Sequence, residues 1–312
     1  MSSDVEMEVL ADLRRAACSD GAPSARNLLV TLFGDCVAPH DVAAMIPVSA
    51  LAALLAPFGA NERLIRTSLS RLANDEMLTV RSSGRRSFYG IHPAAHELFV
   101  AADDRIYGPL HTYWDGQWTI VILDGNESTA ERRAELRAEL AVVGLGVAAP
   151  NVMVSPMVPA AEAARVVALV GGLHNVLVTR SSVLECGATL GPSELAARAI
   201  DLADVTGLYE EFLARFGNYS MATVAELSDA LAFKLRVLLV STYRRIVLDD
   251  PPLPVELLPA DWVGLRARRL VAELYEACVV NGERHLTEVL ADAGVELPDT
   301  PTTGLGRFVT NR

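Results

Sequence analysis

Cysteine is scarce in this 312-residue sequence and poorly placed for chemistry. Cys18, Cys36, Cys186 and Cys278 are scattered, with no CxxC pair, which argues against a disulfide framework or a thiolate zinc site and points to a reducing, cytoplasmic setting. Long apolar runs are missing too. The richest stretch, Val142 to Val154, is broken by glycines, Pro150 and Asn151 and is too short to span a bilayer, so no membrane partner is expected. The first fifteen residues carry Asp4, Glu6, Glu8 and Asp12 without a basic region or an apolar leader core, so an ordinary secretory signal is not expected either. No Walker motif is present, and Gly144-Leu145-Gly146 and Gly171-Gly172 lack the flanks of a dinucleotide fingerprint; they read as turn glycines, with no cofactor expected. His92 and His96, with Glu97, have no further ligands at metal spacing, so no metal is expected. No cysteine is paired with a histidine in a way that indicates a nucleophile, and no catalytic residue is assigned.

Basic charge is in deficit overall, with 27 Lys and Arg against 39 Asp and Glu. Its distribution decides more than its sum. Between Ser24 and His92, Arg26, Arg63, Arg66, Arg71, Arg81, Arg85 and Arg86 outnumber Asp35, Asp41, Glu62, Asp75 and Glu76. The acidity belongs to the rest of the chain.

That basic window has an ordered pattern. Ser24 is placed to cap a helix through Leu28, Leu29, Leu32 and Phe33, interrupted at Gly34 to Pro39. A second helix is predicted from Val48 to Leu55, ending before Pro57. Asn61 suits the N-cap of a third, from Glu62 to about Asp75. At about 100° per residue, Leu64, Ile65, Ser68, Leu69 and Leu72 fall on one side of it. Arg63, Arg66, Thr67, Ser70, Arg71 and Asn74 fall on the other, where guanidinium, hydroxyl and amide groups suit base edges and phosphates. Leu78 to Arg81 and Arg86 to Ile91 then read as strands joined through Ser82-Ser83-Gly84-Arg85, a basic hairpin. Three helices and a basic hairpin form the order of a winged helix-turn-helix that binds double-stranded operator DNA. The plainer alternative is a small helical domain with a solvated arginine face.

The expected organisation is an α+β chain: an arm at 1–23, the DNA-binding domain at 24–92, a linker at 93–116, and a ferredoxin-like domain at 117–190. A mainly helical C-terminal domain at 191–295 and a flexible tail at 296–312 follow. The ferredoxin-like expectation rests on a β-α-β-β-α-β order from Trp118 to Thr179. Asp124, at the end of its first strand, is where some nuclease domains of this shape hold a metal-binding carboxylate, but it reads equally as a turn acid. The C-terminal part is read as helices including Val224 to Thr242, Trp262 to Val279 and Glu283 to Ala293. Tyr243, Arg244 and Arg245, with Trp262, are candidate residues for an anionic ligand bearing an apolar group. Arginines at a helix C-terminus also complement the helix dipole, which is the simpler account.

Several longer stretches resemble the PaaX family of repressors: Ser24 to Asp35, Leu54 to Thr67, Gly84 to Tyr89, Ser241 to Ile246, Leu257 to Trp262 and Ala267 to Tyr275. The resemblance covers roughly residues 24–280 and implies a Cas2-like central domain. It implies Asn61 to Arg71 as the recognition segment and Arg85, Arg86, Ser87 and Tyr89 within the wing. It further implies a homodimeric repressor of aromatic-acid, phenylacetate-type catabolic genes, released by phenylacetyl-CoA or another acyl-CoA. The chain departs from the family pattern at Cys36 to Val48 and in Val142 to Ala149, which leaves the inducer open. Two other readings stand beside it: a DNA-binding regulator without a small-molecule effector, and a Cas2-like metal-dependent nuclease using Asp124.

Overall fold

The computed structural model describes residues 24–109, 114–123, 129–171, 175–182, 190–298 and 305–308. The chain forms two compact units. One takes in Met1–Pro109, Tyr209–Leu248 and Gly264–Arg312, and the other Leu110–Leu208 and Asp249–Val263. The N-terminal segment and the C-terminal helices, read from sequence as separate domains, thus fall within one unit.

In the first unit, Ser24 caps α1 (Ala25–Thr31) by accepting a hydrogen bond from the Asn27 amide at 3.2 Å. The helix does not break at Gly34 as expected. It widens into a π-helical turn, Leu32–Val37, with the Ala38 amide bonded to the Phe33 carbonyl at 2.8 Å. Strand β1 (Ile46–Pro47) leads into α2 (Val48–Leu55), and α3 follows at Glu62–Asn74. Asn61 caps α3 through Oδ1, which accepts from the Leu64 amide at 2.9 Å. Strands β2 (Leu78–Ser83) and β3 (Arg86–Ile91) form an antiparallel hairpin, and the sheet order is β1-β3-β2. Gly84 turns the hairpin at φ 59°, a left-handed conformation that glycine takes without a Cβ penalty.

Much of the expected linker is ordered. His92 caps a short 3₁₀ turn, Pro93–Ala95, its Nδ1 accepting from the Ala94 amide, and α4 (His96–Tyr107) follows. Arg268 donates to the carbonyls of Ile106 and Tyr107, each at 3.1 Å, and so closes the C-terminus of α4.

The C-terminal part of this unit is dominated by α10 (Asp229–Asp249) and α11 (Val263–Asp292). The two helices expected at Trp262 to Val279 and Glu283 to Ala293 are one 30-residue helix. Gly282, between them, is no break: a Cβ there would lie 3.3 Å from the Phe233 Cα, so the glycine lets α10 and α11 approach closely. Phe233, Val237, Leu286 and Leu290 join one buried cluster with Leu28, Leu29, Phe33, Leu51, Ile65, Leu69 and Leu72. Within the expected loose tail, Phe308 is buried, its ring 4.9 Å from that of Tyr107.

The second unit carries β4 (Gln117–Leu123), α5 (Ala130–Val142), β5 (Gly146–Ala149), β6 (Val152–Ser155), α6 (Ala160–Val170) and β7 (Val176–Ser182). The antiparallel order β5-β6-β4-β7 is the ferredoxin-like topology. Alternation decides the packing. Val121, Leu123 and Met153 bury against Leu136, Leu140, Ala163 and Val166 of α5 and α6. Trp118, Ala148 and Val154 bury with Ala196 of α7 (Pro192–Ala199) and Leu257. Two further helices, α8 (Ala203–Phe216) and α9 (Met221–Ala225), lie between α7 and α10 in sequence.

Candidate nucleic-acid interface

The face of α3 follows from its spacing. Ile65, Ser68, Leu69 and Leu72 are buried, while Arg63, Arg66, Thr67, Ser70, Arg71 and Asn74 are exposed. Leu64 departs from expectation: it is 47% exposed and sits on the polar side. Arg66 is held by Glu62 one turn back at 2.6 Å, in a pair open to water on both sides. Such pairs contribute only tenths of a kcal/mol, roughly, so the guanidinium is readily given up to another acceptor. The Thr67 hydroxyl donates to the Arg63 carbonyl at 2.9 Å. Arg63 and Arg71 have no ion-pair partner among the described residues. Asn61 is exposed, but its side-chain oxygen is engaged in the cap.

The hairpin adds a second basic element. Arg81, Arg85 and Arg86 are all exposed, and no acidic residue occurs between Glu76 and Glu97. The register sets Arg81 opposite Phe88, Ser82 opposite Ser87 and Ser83 opposite Arg86. Ser87 is half-buried, and Tyr89 packs against the core shared by α1, α2 and α3. Tyr89 therefore anchors the hairpin while the three arginines reach solvent. Arg26 meets Asp75 at 2.7 Å and ties the start of α1 to the end of α3.

Of the proposed ligand residues, Tyr243, Arg244 and Arg245 belong to the first unit and Trp262 to the second. Tyr243 is 1% exposed and stacks in an aromatic group with Phe212 and Tyr209. Arg245 is exposed, and Trp262 is buried in the second unit. Arg244 is half-buried and donates to the Asn27 side-chain oxygen. Asp124, Cys18 and Cys186 lie outside the described residues. Cys36 and Cys278 are buried. Burial pushes the Cys36 thiol well up and the Cys278 thiol to about 12, so neither supplies a thiolate. Among the described residues no group of His, Cys, Asp and Glu is placed to hold a metal ion.

Sequence reasoning missed a buried ionic network centred on Asp35. Its Oδ2 accepts from Arg236 Nε at 2.7 Å, and its Oδ1 from Tyr107 at 2.6 Å, Tyr275 at 2.9 Å and Arg307 at 2.9 Å. Arg236 also reaches Glu283 at 2.5 Å, and Glu283 meets His40 at 2.8 Å. Arg307 continues to Asp103. Burial alone would raise the Asp35 carboxyl, but Arg236 and Arg307, with the Tyr107 hydroxyl, hold it below its ordinary value. Burial likewise works against the Arg236 charge, which Asp35 and Glu283 keep in place. Asp35 and Arg236 are almost inaccessible to solvent, so they join helices and do not present chemistry to a partner. One signal was available: Asp35 follows a fully apolar helical stripe, where an unpaired carboxylate is costly to bury.

Residues 24–92 match the family described as PaaX-like protein, 111–190 the PaaX protein central Cas2-like domain, and 200–288 the PaaX-like protein C-terminal domain. The chain is also 33% identical over 292 residues to the transcriptional repressor PaaX of Escherichia coli (strain K12), covering 91% of this chain and 90% of that protein. The chain belongs to the PaaX family. Among solved structures it is similar to protein Rv0674 of Mycobacterium tuberculosis, with a TM-score of 0.54, 21% identity and coverage of 87% of this chain and 99% of the other. That likeness concerns the fold alone. The three PaaX segments lie in the same order along the sequence as the arginine-bearing helix and hairpin, the ferredoxin-like sheet and the long C-terminal helices.

Proposed function

We propose that this PaaX-family protein is a sequence-specific DNA-binding transcriptional regulator, and not an enzyme, with residues 24–92 acting as a winged helix-turn-helix. The observation that carries this reading is the solvent face of α3 beside an acid-free hairpin with three exposed arginines. In this reading α3 enters the major groove, where Arg63, Arg66, Ser70, Arg71 and Asn74 meet base edges and phosphates. Arg81, Arg85 and Arg86 lie along the backbone, and Asn61, Thr67, Ser87 and Tyr89 set the two elements in position. The reading is supported by the similarity to the E. coli transcriptional repressor. A metal-dependent nuclease is not favoured by it.

The finer proposals extend this reading along the family resemblance. The protein works in the cytoplasm as a homodimer on an inverted repeat, its two α3 helices about 34 Å apart or a multiple of that. Exposed Val142, Leu169 and Leu177 on the second unit are compatible with a surface covered by another copy. It represses aromatic-acid catabolic genes and leaves its operator when an acyl-CoA thioester, phenylacetyl-CoA or a related one, binds the DNA-incompetent arrangement more tightly.

Fluorescence anisotropy on the DNA upstream of this gene and of neighbouring catabolic genes, at fixed salt and against a shuffled duplex, tests the proposal. Selective binding is expected, weakened in Arg66→Ala and Arg71→Ala with the oligomeric state unchanged. Equal affinity for shuffled and upstream duplexes would refute the regulator, and unchanged binding by both variants would refute the placement of α3. Addition of phenylacetyl-CoA and other acyl-CoAs tests the effector separately.

A further inference from the structure

The first unit holds a cavity of about 180 Å³, open to solvent beside Leu98 and Leu248, between α1 with its π-helical turn, α4 and the C-terminal half of α10. Its walls are apolar, with Val30, Phe99, Ile106 and Val240 among them. An apolar cavity of roughly 150 Å³ accepts a benzene ring, and drug-sized ligands occupy about 300 Å³ or more. The space therefore suits one ring or a six-carbon chain.

Two polar atoms of the lining are buried without a hydrogen-bond partner among the described residues, Arg244 Nε and Thr31 Oγ1. The other charges of the lining are matched: Asp35 by Arg236 and Arg307, and Asp103 by Arg307. Among the described residues Arg244 has the Asn27 amide oxygen and no carboxylate. Burial weakens its hold on its proton, and the neighbouring Arg245 charge adds to that effect. A half-buried guanidinium whose Nε has no partner is incompletely compensated for the water it has lost, and a carboxylate is the group that meets it with charge and geometry together.

We propose that this cavity is a binding site for a small apolar monocarboxylate of benzoate or hexanoate size, its carboxylate paired with Arg244 and accepting from the Thr31 hydroxyl while its hydrocarbon fills the space between α1, α4 and α10. The site stands whether or not the chain reads DNA. It differs in ligand class from an acyl-CoA site, because a thioester has lost the carboxylate that Arg244 would pair with.

Isothermal titration calorimetry of the full chain with benzoate and hexanoate, beside benzamide and hexanamide, tests it. Each acid is expected to bind at one site per chain, and each amide about tenfold or more weakly. Arg244→Met weakens benzoate by about tenfold or more, and Thr31→Val by about twofold to fivefold. Ala102→Phe fills the cavity from a half-buried position and abolishes binding. The acid–amide comparison and Ala102→Phe keep the test decisive if Arg244→Met does not fold. Absence of binding by both acids to the folded wild-type chain, equal binding of acid and amide, or wild-type affinity in Ala102→Phe would overturn the proposal.

Discussion

Arg236→Met removes the cation that, among the described residues, touches both Asp35 and Glu283, and leaves an aliphatic chain of similar length. Three contacts are lost: Nε to Asp35 Oδ2 at 2.7 Å, Nη2 to the Asp35 carbonyl at 2.8 Å, and Nη1 to Glu283 at 2.5 Å. Asp35 keeps Tyr107, Tyr275 and Arg307, and Glu283 keeps His40. Removing one member of a buried ion pair costs about 3–5 kcal/mol, because the remaining charge is stranded. Because Asp35 keeps Arg307 and Glu283 keeps His40, neither carboxylate is left wholly without a partner, and the lower half of that range is expected, still a large share of the roughly 5–15 kcal/mol that holds a typical protein folded. Urea unfolding at pH 7, followed by far-ultraviolet circular dichroism, should show the first unit melting more than about 1 M earlier. Asp35→Asn should cost less in the Arg236→Met background than in the wild-type chain, since the carboxylate it removes has already lost Arg236. A midpoint within about 0.3 M of wild type, or strictly additive losses in the double variant, would refute the view that Arg236 neutralises a buried carboxylate.

Acid should weaken the same network. Burial alone would raise both carboxyls, yet Arg236 and Arg307 hold Asp35 low, and His40 and Arg236 hold Glu283 low. Their contribution is therefore present above the ordinary carboxylate pKa of about 4 and is lost as pH falls through the depressed values. The urea midpoint should drop steeply below about pH 4, and a flat profile down to pH 3 would contradict this. Deleting residues 306–312 removes Arg307 and the buried Phe308, and should cost about 3 kcal/mol in the same assay; an unchanged midpoint would show that the segment is dispensable. Arg85→Ala should weaken binding to operator and shuffled duplex alike and make the salt dependence shallower by about one unit of slope per lost phosphate contact. Loss confined to one base position would instead make Arg85 a base reader.

Local signals were legible in the sequence because they act over three or four residues. Ser24 and Asn61 cap the helices they were expected to cap, Gly84 turns the hairpin, and alternation around Val121 and Met153 gives the ferredoxin-like sheet. What failed depended on distant partners. Asp35 finds Arg236 across 201 residues of sequence, so no window around Gly34 reveals why the helix continues through it. Two helices were expected on either side of Val280 to Gly282, but the reason for Gly282 lies in Phe233 on another helix. Leu64 was placed on the core side by its helical angle, but it lies at the edge of that face, and Ile65, Leu69 and Leu72 supply the apolar seam. The exposed arginines were legible as charges. The cavity beside Arg244 was not legible, since its walls come from α1, α4 and α10.

The 201 residues between Asp35 and Arg236 also set a clock on the ribosome. At about 5–20 residues per second, the N-terminal helices wait roughly 10–40 s after Asp35 is made before Arg236 is added, and longer for Leu286 and Leu290. During that interval Leu28, Leu29 and Phe33 lack part of the surface that covers them in the finished protein. Contacts of such long sequence separation come late because the loop between them must close first. A nascent chain arrested before α10 carries its basic helix and hairpin on an unfinished core, open to chaperones and proteases, and the unit is completed only when the last long helix has been synthesised.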